Sequence, residues 1–87
     1  MSDFLIESPH TQAECLQAID GTLAKGEATL SKFQWGCESG NHTGWAFVRA
    51  SSESKAREMV PSVVRKKARI VKVSRFTPNQ IRAYHEK

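Results

Sequence analysis

Between Thr43 and Ala50 small and large residues alternate: Gly44, Ala46, Val48 and Ala50 against Trp45, Phe47 and Arg49. A period of two is the mark of a β-strand with unlike faces. Its small side belongs where another element packs closely over it. Upstream, Leu30–Cys37 also alternates, with Phe33, Trp35 and Cys37 on one side. Glu38-Ser39-Gly40-Asn41 between the two runs is turn chemistry. Together they predict an antiparallel hairpin around which the rest of the chain must be arranged.

The flanking segments supply the other elements. Phe4–Ser8 is a short apolar-rich run closed by Pro9, and reads as the first strand. Thr11-Gln-Ala-Glu14 is a capping box, followed by Leu16, Ile19 and Leu23 at helical spacing and by Lys25-Gly26 as a stop. After the hairpin, Ser52 or Ser54 caps a second helix with the stripe Ala56, Met59, Val60, Val63 and Val64. Pro61 inside that stripe predicts a kink or a break into two short helices. Arg69–Phe76 reads as the last strand, and Thr77-Pro78 as an N-cap and first-turn proline opening a short helix through Tyr84.

The 87 residues have room for one domain, spanning 1–87. The order predicts an α+β chain of ferredoxin-like β-α-β-β-α-β type. Its antiparallel four-stranded sheet runs in the order 4-1-3-2, with two helices on one face and a short C-terminal helix. No run reaches the roughly 20 apolar residues of a membrane span. The N-terminus has acids where a signal peptide carries bases, and with only Cys15 and Cys37 a disulfide framework is not expected. The expected setting is cytoplasmic, without a membrane partner.

With the helices over the small side of the Thr43–Ala50 strand, the sequence places Phe4, Ile6, Phe33, Trp35, Trp45 and Phe47 on the opposite face. An aromatic patch of that size calls for a cover. One candidate is a second copy of the chain. Trp35-Gly36-Cys37, Thr43-Gly44-Trp45-Ala46-Phe47-Val48 and the element order resemble small stand-alone proteins of unknown function in the dimeric α+β-barrel superfamily. That resemblance implies a homodimer and, in some members, a bound metal; it permits catalysis without indicating it.

The alternative cover is RNA. Gly44-Trp45-Ala46-Phe47-Val48-Arg49 resembles the third-strand octapeptide of RNA-recognition motifs, with Trp45 and Phe47 at the stacking positions and Phe4 as a third platform residue. Thr43 departs from it, standing where that motif carries Lys or Arg. A third cover is the C-terminal helix itself, through Ile81 and Tyr84. Charge does not choose among these. Residues 1–43 carry six acids and two bases, and residues 44–87 carry eleven bases and three acids. Such asymmetry suits an anionic partner or charge matching within a dimer. The run Arg65-Lys66-Lys67-Ala68-Arg69 reads as a solvated helix end.

One polar constellation stands out. In this topology His10 follows the first strand, Cys15 lies in the first turn of the first helix, Cys37 ends the second strand and His42 opens the third. All four converge on one edge of the sheet. Two thiols and two imidazoles suit a soft or borderline divalent ion such as zinc or nickel, and the adjacent helix N-terminus also suits an organic or anionic ligand. The spacing matches no zinc motif, and Cys15 also reads as a small core residue four before Ile19. Glu7, expected on the helix side near His10, is a further candidate for an acid–base pair. There is no nucleophile elbow, phosphate loop or dinucleotide fingerprint, so no catalytic residue is assigned.

Overall fold

The computed structural model describes residues 1–86. Strands β1 (Ser2–Pro9), β2 (Phe33–Trp35), β3 (Thr43–Ala50) and β4 (Arg69–Val73) form one antiparallel sheet in the order β2-β3-β1-β4. This is the predicted order, counted from the other edge. The alternation in β3 gives its predicted ends, whereas β1 is longer than expected and β4 stops at Val73 rather than Phe76.

Helix α1 (Cys15–Ala24) is entered through a 3-10 turn, Gln12–Glu14, closed by the predicted capping box. The Glu14 N–H donates to Thr11 Oγ1 at 3.2 Å, and the Thr11 N–H donates to Glu14 Oε1 at 2.9 Å. The predicted apolar stripe is not the buried one. Ala18 and Thr22 are fully buried, while Leu16 is 68% exposed and Leu23 is also exposed. Close approach is the reason: a Cβ on Gly21 would stand 2.6 Å from Pro61 Cβ. Only a small-residue face fits there. The Thr22 hydroxyl satisfies itself by donating to the Ala18 carbonyl at 2.8 Å.

A short helix α2 (Glu27–Ser31) takes the place of the expected start of the second strand. Gly26, at φ 122°, turns the chain, and its carbonyl accepts from the Thr29 and Leu30 N–H groups at 3.1 Å. Helix α3 (Glu53–Arg57) is capped by Ser52, whose Oγ accepts from the Lys55 N–H at 3.2 Å. Pro61 breaks the segment as predicted, and it resumes as a 3-10 turn at Arg65–Lys67. Ala56, Val60 and Val64 are buried, but Val63 is exposed. Arg65 is not simply solvated, because its Nε donates to the Val60 carbonyl at 2.9 Å; Arg57 likewise donates to Ala68 at 3.0 Å.

The two faces of the sheet follow from pairing. Cross-strand partners share a face, and the register sets Phe4 opposite Val48, Ile6 opposite Ala46, Phe33 opposite Ala46 and Trp35 opposite Gly44. Phe4, Ile6, Phe33 and Trp35 therefore lie on the helix-covered side, which corrects the expectation of an opposite face. Phe4 is 5% exposed, Phe33 and Ile6 are buried, and Trp35 packs against the same core as Ala18 and Ala56. Large residues on β1 and β2 fill the space that the small residues of β3 leave. The open face keeps Trp45 and Phe47, with Asp3, Leu5 and Glu7 of β1 and Arg69, Val71 and Val73 of β4. Glu7 is thus on the other side from His10, and the acid–base pair expected of them is not formed.

Helix α4 (Pro78–His85) has the predicted Thr77 cap and first-turn proline, with Gln80 completing a capping box. It does not fold over the sheet: none of its residues is buried. The radius of gyration is 15.4 Å and the long axis 51 Å, against about 12 Å expected for the radius of a compact chain of this length. Residues 74–86 form an arm. No helix among the described residues is long and apolar enough to cross a membrane.

Candidate metal centre

The end of the sheet at Pro9 is where the four predicted donors meet. The β1–β3 ladder runs one step past Pro9, since the His10 N–H donates to the His42 carbonyl at 2.9 Å. Alternation then turns His10 to the helix side. It is 7% exposed there, with its ring 5.9 Å from that of His42 and 6.1 Å from that of Trp35. Cys15 opens α1, immediately after the capping-box glutamate. Glu14 also forms an ion pair with Lys67, and this together with the Thr11 contacts holds its carboxyl at about 2. The ion pair fastens the start of α1 to the turn before β4.

Cys37 arrives by a tight loop. The Gly36 N–H donates to Thr43 at 2.9 Å, the Asn41 N–H donates to Gly36 at 3.0 Å, and Gly40 sits at φ 87°. A Cβ on Gly36 would lie 2.7 Å from the Asn41 carbonyl and 2.9 Å from the Trp45 ring. Glycine is therefore required for the chain to turn Cys37 back toward the sheet end. The Thr43 hydroxyl, donating to Asn41 Oδ1 at 2.8 Å, tightens the return.

The result is a compact donor set. One ligand atom from each of His10, Cys15, Cys37 and His42 lies within 4.8 Å of all the others, and His10 Nε2 is 3.3 Å from Cys37 Sγ. Around tetrahedral zinc, with bonds of about 2.0–2.3 Å, neighbouring donors stand about 3.3–3.8 Å apart. The His10–Cys37 pair already has that spacing, and the widest pair must close by about an ångström. Nδ1 of His10 and Nδ1 of His42 are buried without a hydrogen-bond partner. Buried polar atoms left so are uncommon; coordination through Nδ1 would account for His42, while His10 faces Cys37 with Nε2.

The electrostatics disfavour charge on His10 and on Cys37. Burial holds the His10 pKa below the ordinary 6.5, opposed by the Ser8 backbone and aided by nearby His42. Burial and the adjacent Cys15 thiol push Cys37 up to about 11. A cation entering here has to displace thiol protons, as thiolate-ligated metals do.

The remaining candidates are dispersed. Phe4 and Phe33 are buried in the core, Trp35 is half-buried against it beside His10, and Trp45 and Phe47 remain on the open face. The sequence reading missed Gly36, Asn41 and Thr43 as the frame of the loop, and Lys67 as the partner of Glu14. The signal for the first lay in a glycine between Trp35 and Cys37. No protein-family model, curated protein or solved structure matches this chain.

Proposed function

We propose that the chain is a metal-binding protein that holds one zinc-class divalent ion through His10, Cys15, Cys37 and His42. The observation that carries this reading is the convergence of two imidazoles and two thiols, from four separate segments, within 4.8 Å. A tetrahedral set of two sulfurs and two nitrogens favours zinc over nickel, which prefers planar arrangements. Four protein donors leave no coordination position for a substrate. The reading is therefore structural, storage or sensing, not hydrolytic. The sheet order, with α1 and α3 contributing to one core, supports a small ferredoxin-like scaffold for it.

Metal analysis of protein purified without an affinity tag, followed by cobalt(II) titration, tests the proposal. One equivalent of zinc is expected. Cobalt should give the strong visible bands of a tetrahedral site together with thiolate-to-metal charge transfer. Cys37→Ser should remove the charge transfer from one thiolate and weaken affinity at least about 100-fold, beyond the effect of losing an outer-shell partner. Protein with no stoichiometric metal, and with cobalt spectra indifferent to Cys37→Ser and His42→Ala, would sink the idea.

A further inference from the structure

The open face of the sheet has an ordered composition. Its middle row, Phe47–Leu5–Val71, is apolar across three strands, and it is flanked by the rows Arg49–Asp3–Val73 and Trp45–Glu7–Arg69. An apolar centre inside a charged rim is the anatomy of a protein interface. Phe47, 74% exposed, stands as a ridge between two grooves. One, of about 410 Å³, lies toward Val73 and Arg75 at the root of the arm; the other, of about 320 Å³, lies toward Gln34 and Trp45.

The arm carries a matching apolar surface. Phe76 and Ile81 are exposed, and the Phe76 ring meets that of Tyr84 edge-on at 5.8 Å. Thr77, an extended N-cap ahead of Pro78, opens α4, none of whose residues is buried against its own chain. One chain thus presents both a ridged apolar face and a projecting apolar arm.

We infer that two copies of this chain pair face to face, each laying α4 along the open sheet of the other. Three observations favour a second copy over other occupants. The exposed apolar residues of face and arm amount to on the order of 600 Å² per chain. A reciprocal pair would remove about 1,200 Å² before any rim is counted, the lower bound of a stable interface. The rim carries both signs, Asp3 and Glu7 beside Arg49 and Arg69 with Asp3 and Arg49 paired at 3.0 Å, and Arg75 and Lys32 line the grooves. A second copy brings acids as well as bases to such a rim, whereas a polyphosphate would meet the two carboxylates. Finally, donor and acceptor surfaces lie on the same molecule, which a two-fold exchange satisfies in both directions and closes.

The test is solution mass by light scattering on the full chain, for wild type, Phe47→Glu and Ile81→Glu, with circular dichroism on each. Both positions are exposed, so the fold should survive both changes. Wild type should run at twice the 9.7 kDa chain mass. Both variants should show a dissociation constant raised at least about 100-fold with unchanged circular dichroism. If Phe47→Glu does not fold, Ile81→Glu alone decides. A wild-type monomer at about 100 μM overturns the inference, as does a monomer that gains mass only with single-stranded RNA. A dimer that Ile81→Glu leaves intact overturns the role of the arm.

Discussion

The two ends of the central strand β1 lead to opposite kinds of structure. At Pro9 the chain is gathered in: His10, Cys15, Cys37 and His42 come from four segments and meet within 4.8 Å. At the other end Asp3 pairs with Val73, and from there the chain departs as an arm none of whose helical residues is buried. The gathered end depends on tertiary contacts, since residues 10–15 and 37–42 meet only when β1 pairs with β3. The departing end depends on local ones, a threonine cap, a first-turn proline and a returning glutamine. The comparison separates a region ordered by packing from a short helix whose limits are set by its own caps but which is too short to be firm by itself.

Paired substitutions break the comparison most sharply. Ile6, fully buried between the two ends, should cost about 2–5 kcal/mol when changed to Ala. Ile81→Ala on the arm should stay within about 0.5 kcal/mol for the monomer. Urea unfolding of both reads the contrast, and equal effects would mean that α4 belongs to the folding unit. Next in size, on the metal-binding proposal, chelating zinc whose free concentration stood about a hundredfold above its dissociation constant removes about 2.7 kcal/mol. For a chain of this length that lowers the thermal midpoint by roughly 10–20 °C. Scanning calorimetry with and without chelator checks it, and hydrogen exchange in α4 should not respond.

Acid sharpens the gathered end further. Glu14 ionises at about 2 in the folded chain against 4.5 for a free side chain. Because its folded pKa is depressed, the stability it contributes is present in full above 4.5 and is lost as pH falls from there to about 2. Glu14→Gln should flatten that stretch of the stability–pH curve. The smallest effect belongs to Thr77→Ala, which removes a cap worth about 1 kcal/mol to the helix. Amide exchange should quicken within α4 while the global midpoint stays put.

What could be read from the sequence divides along similar lines. The limits of β3 and the caps at Thr11 and Thr77 were legible, because alternation and capping are local rules. The convergence of His10, Cys15, Cys37 and His42 was legible as well, since each sits at the end of a predicted element and the topology brings those ends together. The facing of Phe4 and Phe33 was not. It depends on which residue of β3 each one opposes, and a shift of one residue in pairing inverts every side chain of a strand. Leu16 and Leu23 misled for a related reason. Their helical spacing is sound, but the close packing of Gly21 against Pro61 admits only the small residues beside it. The loop from Gly36 to His42 was legible as a turn, not as the device that folds Cys37 back.

The position of β1 also bears on the order in which the molecule can be assembled. Made before its two sheet neighbours, it lies between them in the finished sheet. Its first partner, β3, is complete only at Ala50, some 40 residues later. At translation rates of about 5–20 residues per second, β1 therefore waits about 2–8 s with Phe4 and Ile6 unsheltered. The hairpin of β2 and β3, whose pairing is local, can close without it. Residues 2–9 are therefore the strand of this sheet that stays longest without a partner while the chain is being made.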